Sequence, residues 1–90
     1  MTLRENLRQY RIEVSKNNKI LEELKASLEQ IQITRNTIQY LEHTKEVPFE
    51  LLNAESEIKK KITFYNSRQI ALRTLIRTYE EKLEQKSVDY

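Results

Sequence analysis

The sequence contains no glycine, no cysteine and no tryptophan, and its single proline is Pro48. Glycine reaches the positive φ angles of tight turns and phosphate-binding loops most readily. Its absence therefore argues against a glycine-rich nucleotide site and, less strongly, against a turn-rich β fold. The lack of cysteine excludes disulfides, a thiol nucleophile and thiolate metal ligands.

The composition indicates one small helical domain. The chain has 90 residues, of which 33% are charged and 38% hydrophobic, a balance that is typical of coiled coils. Its net charge of +2 is too small to indicate nucleic-acid binding by itself. We see no signal peptide and no stretch that could span a bilayer, so we expect a cytoplasmic location and no membrane partner.

Apolar residues recur in alternating steps of three and four along almost the whole sequence. This spacing is a heptad pattern, which predicts helices that pack along one stripe. In the first half the stripe is Leu3, Leu7, Tyr10, Val14, Leu21, Leu24, Leu28, Ile31 and Ile38. In the second half it is Leu51, Ile58, Ile62, Tyr65, Leu72, Ile76, Tyr79 and Leu83.

Pro48 divides the two halves, because proline breaks a helix interior but is tolerated in a first turn. We therefore predict a single domain over residues 1–90, with helix 1 at about 2–43, a hinge at about 44–48 and helix 2 at about 48–86. The expected fold is all-α, an antiparallel two-helix coiled-coil hairpin. We further expect two such hairpins to dimerise into a four-helix bundle.

The heptad pattern can be folded into one register in which every layer is built and the flanking charges are complementary. The expected pairs are Tyr10 with Leu83, Val14 with Tyr79, Leu21 with Leu72, Leu28 with Tyr65 and Ile31 with Ile62. On the flanks, Glu13 is expected near Lys82 and Arg11 near Glu80. Exposed ion pairs add little stability, so they serve here only to indicate the register.

Four seam positions are polar, namely Asn17, Arg35, Glu55 and Gln69. Buried polar residues in coiled coils commonly fix register and orientation, and we favour that role over a ligand site. Arg35 and Glu55 fall in neighbouring layers, where they are expected to form a partly buried ion pair. Asn17 and Gln69 are expected in separate layers.

No residue pattern indicates catalysis, a metal site or a cofactor. His43 is the only histidine, and it lies at the hinge beside Glu42 and Glu46. A metal site needs more ligands at closer spacing, and no nucleophile–base arrangement can be built around this residue. We therefore expect a protein that is not an enzyme, with no catalytic residues, no metal and no cofactor.

Apolar residues outside the seam predict a second stripe along one flank of the hairpin. In the expected register Ile20 lies level with Leu75, and Leu41 with Ala54. We interpret this stripe as a face for a second copy or for a partner's helix. The predicted face consists of Ile20, Leu41, Ala54, Phe64, Ala71 and Leu75.

Arginines on the opposite flank offer an alternative function. A positive strip of this kind is the usual footprint of phosphate binding, although Glu80 and Glu84 interrupt it. Its members are Arg4, Arg8, Arg11, Arg73 and Arg77. We favour a non-enzymatic protein–protein interaction module, such as an adaptor, an assembly chaperone or a small regulator or inhibitor. The alternative is a small dimeric hairpin that binds nucleic acid through these arginines.

Overall fold

The computed structural model describes residues 2–42 and 46–88, which form two long α-helices. Helix α1 is Leu3–Glu42 and helix α2 is Phe49–Val88, each of 40 residues. The helices pack against each other as a hairpin with principal dimensions of 72 × 19 × 15 Å. The predicted all-α two-helix hairpin is confirmed, and no strand occurs in the described residues.

Both helices begin with a local hydrogen-bonding arrangement. At the start of α1, the backbone N–H of Glu5 donates to Oγ1 of Thr2 at 3.1 Å, and the Thr2 N–H donates to the Glu5 carboxylate at 3.4 Å. This is a capping box, which satisfies two N–H groups that the helix itself leaves without acceptors. At the start of α2, the Pro48 carbonyl accepts from Leu51 and Leu52. Residues 44 and 45 of the predicted hinge lie outside the described residues.

Among the described residues, the seam between the helices buries as many polar residues as apolar ones. Its buried apolar residues are Leu7, Leu21 and Leu72, and its buried polar residues are Asn17, Glu55 and Gln69. The other apolar residues of the predicted stripe are only half-buried. In a two-helix seam each side chain is covered only by the opposite helix, so most side chains in the stripe stay partly exposed to water.

The register of the hairpin differs by one heptad from the predicted register. The Nε2 of Gln69 donates to the backbone carbonyl of Val14 at 3.0 Å and to Oδ1 of Asn18 at 2.6 Å. Gln69 therefore lies level with Asn17, whereas the predicted register placed these two residues in separate layers. The physical reason is that apolar layers repeat every seven residues, so the apolar pattern fits equally well after a one-heptad slip.

The one-heptad difference between the predicted and the observed register changes the partners within the seam. Moving α2 by one heptad puts Leu21 opposite Tyr65 and Leu72 opposite Val14, so the predicted pairing of Leu21 with Leu72 is wrong. The pairing of Leu28 with Tyr65 is wrong for the same reason.

Contacts toward the open end of the hairpin also depart from the predicted pairs. The Tyr10 ring lies edge-on to Tyr79, with a centroid separation of 5.4 Å, whereas the predicted register paired Tyr10 with Leu83. Glu13 pairs with Arg68 at 3.5 Å instead of with Lys82. The expected pair of Arg11 with Glu80 is present at 2.9 Å.

Truncation of Leu21 tests the packing of the seam. Leu21 is 5% exposed, so we expect Leu21→Ala to lower the free energy of unfolding by about 2–4 kcal/mol through lost burial and a residual cavity. Leu41 is 68% exposed, and Leu41→Ala serves as the control with a change within about 0.5 kcal/mol. Urea unfolding followed by circular dichroism measures both. Equal effects of the two substitutions would contradict the buried position of Leu21.

Candidate functional site

The centre of the seam contains a polar layer of Asn17 and Gln69. Asn17 is 6% exposed and Gln69 is 4% exposed, and Gln69 makes the two hydrogen bonds to α1 described above. The Nδ2 of Asn17 and the Oε1 of Gln69 are buried without a hydrogen-bond partner. A buried polar atom without a partner costs about 1–3 kcal/mol, so this layer lowers stability relative to an apolar one.

A second polar cluster lies nearer the hinge, around Glu55. Its Oε2 accepts from Nη1 of Arg35 at 2.8 Å, and the Lys59 ammonium lies 3.1 Å from its Oε1. The Glu55 side chain is 5% exposed and that of Arg35 is 31% exposed, so the expected partly buried ion pair is present. Lys59 was not anticipated as a partner, although its position four residues after Glu55 is the spacing at which helical ion pairs form.

The charges around Glu55 keep its carboxylate ionised. The Lys59 ammonium, together with Arg35 and a hydrogen bond from Gln32, lowers the pKa of Glu55 below its usual value, against the effect of burial, which raises it. A general acid or base needs a pKa near the working pH. The arrangement therefore suits an ion pair that links the helices.

The predicted apolar face is only partly brought together. Ile20 and Phe64 line one shallow groove of 420 Å³, together with Leu24 and Tyr65. Phe64 is 58% exposed, and its ring lies edge-on to Tyr65 with the centroids 5.2 Å apart. We call this the flank groove. Its rim carries Lys60 and Lys61, with Glu57 paired to Lys60 at 3.5 Å.

The other predicted members of the face do not line the flank groove. They are Leu41, Ala54, Ala71 and Leu75. In the observed register Leu75 is no longer level with Ile20 as predicted, and Arg68 takes that position along the flank of α2. Because Arg68 pairs with Glu13, an ion pair interrupts the stripe that the sequence predicted to be continuous.

Large apolar side chains are also exposed at the hinge end of the hairpin, which the sequence did not indicate as a separate surface. Tyr40 is 78% exposed and Phe49 is 76% exposed, with Leu41 and Leu52 nearby in the chain at 68% and 44%. The available signal was their position outside the heptad stripe, in the last turns of α1 and the first turns of α2.

Three of the five predicted arginines are brought together at the open end. Arg4, Arg8 and Arg11 line a groove of 810 Å³, which also contains Glu80 and Glu84. Arg11 is neutralised by Glu80 at 2.9 Å. The remaining two, Arg73 and Arg77, are exposed but do not line this groove.

The described residues contain neither a metal-binding cluster nor a membrane-spanning helix. Within residues 2–42 and 46–88 no group of three or more histidine, cysteine or acidic side chains is positioned to hold a metal ion. His43 lies outside the described residues. In the same part of the chain, neither helix has a long enough apolar segment to cross a membrane.

Neither a protein family, nor a curated protein, nor a solved structure matches this chain.

The pH dependence of stability tests the Glu55 cluster. Because the folded-state pKa of Glu55 is lowered, its contribution is present above the usual carboxyl pKa of 4.5 and is lost as the pH falls below that value. We therefore expect the difference in unfolding free energy between the wild type and Glu55→Gln to be largest near neutral pH and to shrink on acidification. Urea unfolding across a pH series measures this difference. A difference that does not change with pH would show that Glu55 is not held by charge.

Proposed function

We propose that this chain is a non-enzymatic protein-interaction module, which pairs with a second copy or binds a partner's helix through its exposed faces. The observation that carries the proposal is the amount of surface left uncovered. An adaptor, an assembly chaperone or a small regulator that occupies a partner's surface would act in this way. A cytoplasmic location belongs to the same proposal and rests on the cysteine-free composition.

The hairpin exposes more surface than a compact protein of its mass. Its accessible surface is 7333 Å² for a mass of 10.9 kDa. A folded monomer of that mass is expected to expose about 5,600 Å². The excess of about 1,700 Å² is roughly twice the 800 Å² that each partner buries in a standard protein interface. Association through one face would therefore cover only about half of this excess.

The exposed residues supply the apolar contacts that such an interface needs. Phe64 in the flank groove and Tyr40 and Phe49 at the hinge end are aromatic, and aromatic side chains dominate the energetics of many interfaces. A partner helix can lie along a groove of this kind with apolar residues at helical spacing. The lysines on the rim of the flank groove would remain at the edge of the interface.

The alternative function is nucleic-acid binding through the arginine groove at the open end. The observation in its favour is that Arg4 and Arg8 line that groove and take part in none of the ion pairs found among the described residues. Against it, Glu80 and Glu84 line the same groove, and each would repel a phosphate backbone. We therefore rank this function second.

Site-specific photo-crosslinking tests the protein-binding proposal. A benzophenone amino acid at position 64 is expected to form discrete protein adducts in cells, including one with a second copy of the chain. The matched control is position 70, because Ile70 is 69% exposed yet does not line the flank groove. Equal labelling from the two positions would contradict a specific interface at Phe64.

Nucleic-acid binding decides between the two functions. At about 150 mM salt we expect no submicromolar binding of RNA or duplex DNA, because the groove lacks the uniform positive charge that phosphate contacts require. Filter binding over a salt series measures the affinity and its slope. Tight binding that falls steeply with salt and weakens in Arg4→Gln/Arg8→Gln would overturn our ranking.

A further inference from the structure

The apolar stripe of this hairpin fits two registers that differ by one heptad. In the register found here, Asn17 and Gln69 share a layer. In the other, Leu21 faces Leu72, Leu28 faces Tyr65 and Ile31 faces Ile62. Every one of those alternative layers is apolar, so apolar burial alone does not favour the register that the hairpin adopts.

We infer that the Asn17–Gln69 layer holds the hairpin in one of two registers, and that release of this layer lets α2 slide by one heptad. This inference rests on the proposed function for its consequence at the flank, but not for the two registers themselves. A slide of seven residues moves one helix by about 10 Å along the other.

The polar layer discriminates between the registers because only one of them gives Gln69 hydrogen-bond partners on α1. In the observed register its amide donates to the Val14 carbonyl and to Asn18. In the slipped register Gln69 would face Leu24, and Asn17 would face Ile76. Both amides would then be buried against apolar side chains, and this penalty is how single polar residues specify coiled-coil register.

The other polar contact of the seam does not oppose the slip. Arg35 and Glu55 lie in neighbouring layers in either register, so their ion pair can form in both. The discrimination therefore depends on the central layer, where the Nδ2 of Asn17 and the Oε1 of Gln69 already lack partners. Because two of its polar atoms lack partners, this layer creates a smaller free-energy difference between the two registers than a fully hydrogen-bonded layer would.

The slipped register would complete the apolar flank. It places Leu75 level with Ile20, in the flank position that Arg68 takes in the observed register, and Ala54 level with Leu41. A second copy of the chain that covers this flank would contact a continuous apolar stripe only in the slipped register. Because a ligand shifts an equilibrium toward the state that it binds better, association at the flank would favour the slipped register.

Distance measurements between spin labels test the inference. The chain has no native cysteine, so Glu29→Cys and Glu81→Cys, both at exposed helical positions, can be labelled uniquely. When the labelled chain retains Asn17 and Gln69, we expect one dominant distance between the two spin labels at low protein concentration. In Asn17→Leu/Gln69→Leu we expect a second population in which the separation along the hairpin axis is shorter by about 10 Å, the rise of seven helical residues.

The control variant adds two leucines outside the seam. Asn36→Leu/Asn66→Leu replaces two exposed amide side chains and should keep the single wild-type distance. If the double seam variant loses helix content, Gln69→Met removes the amide while keeping the side-chain length and supplies the same readout. A single unchanged distance in the folded seam variants would overturn the inference.

Self-association of the same variants separates the inference from the proposed function. If the slip completes the flank, Asn17→Leu/Gln69→Leu should associate at lower concentration than the wild type, as measured by sedimentation. A second distance without stronger association would overturn the coupling between register and flank. A second distance in a chain that never associates and gives no adduct from position 64 would overturn the proposed function while supporting the two registers.

Discussion

A seam between two helices covers each side chain from one side only, and this geometry limits what the hairpin buries. In the part of the chain that the structure describes, three leucines are buried, and they share the seam with three buried polar residues. The remaining apolar residues of the stripe keep part of their surface in water. The same narrowness leaves Phe64, Tyr40 and Phe49 exposed on the outside, because residues 2–42 and 46–88 form only these two helices and no third one covers them.

The polar residues in the seam have different roles. Glu55 is matched by two cations, so its charge is compensated and it links the helices near the hinge. The amides of Asn17 and Gln69 are compensated less completely, yet Gln69 gives the clearest indication of the register through its bonds to α1. A purely apolar seam would be more stable, but it would not distinguish one heptad from the next.

The sequence predicted the hairpin because the heptad stripe and the single proline are local signals. It also predicted the Arg35–Glu55 pair, since those residues are neighbours in either register. The register itself was mispredicted, because an apolar pattern with a period of seven carries no information about slips of seven. The capping box of Thr2 and Glu5 was overlooked, although its spacing is readable in the sequence.

The candidate surfaces depended on that register. Phe64 and Ile20 share a groove, but Leu75 lies a heptad away from its predicted place, and the continuous stripe is lost. The arginines of helix α1 converge because they are spaced along one helix, which the sequence can show. Which residues of different helices come together depends on the register. The register in turn depends on a few buried polar atoms, about which the apolar pattern carries no information.

Sedimentation equilibrium of the wild-type chain from micromolar to millimolar concentration tests the central claim most directly. If the uncovered flanks are completed by a second copy, the mass should approach twice 10.9 kDa, and the thermal midpoint should rise with concentration. A fully helical species that stays at 10.9 kDa across the whole range, with a constant thermal midpoint, would contradict completion by a second copy.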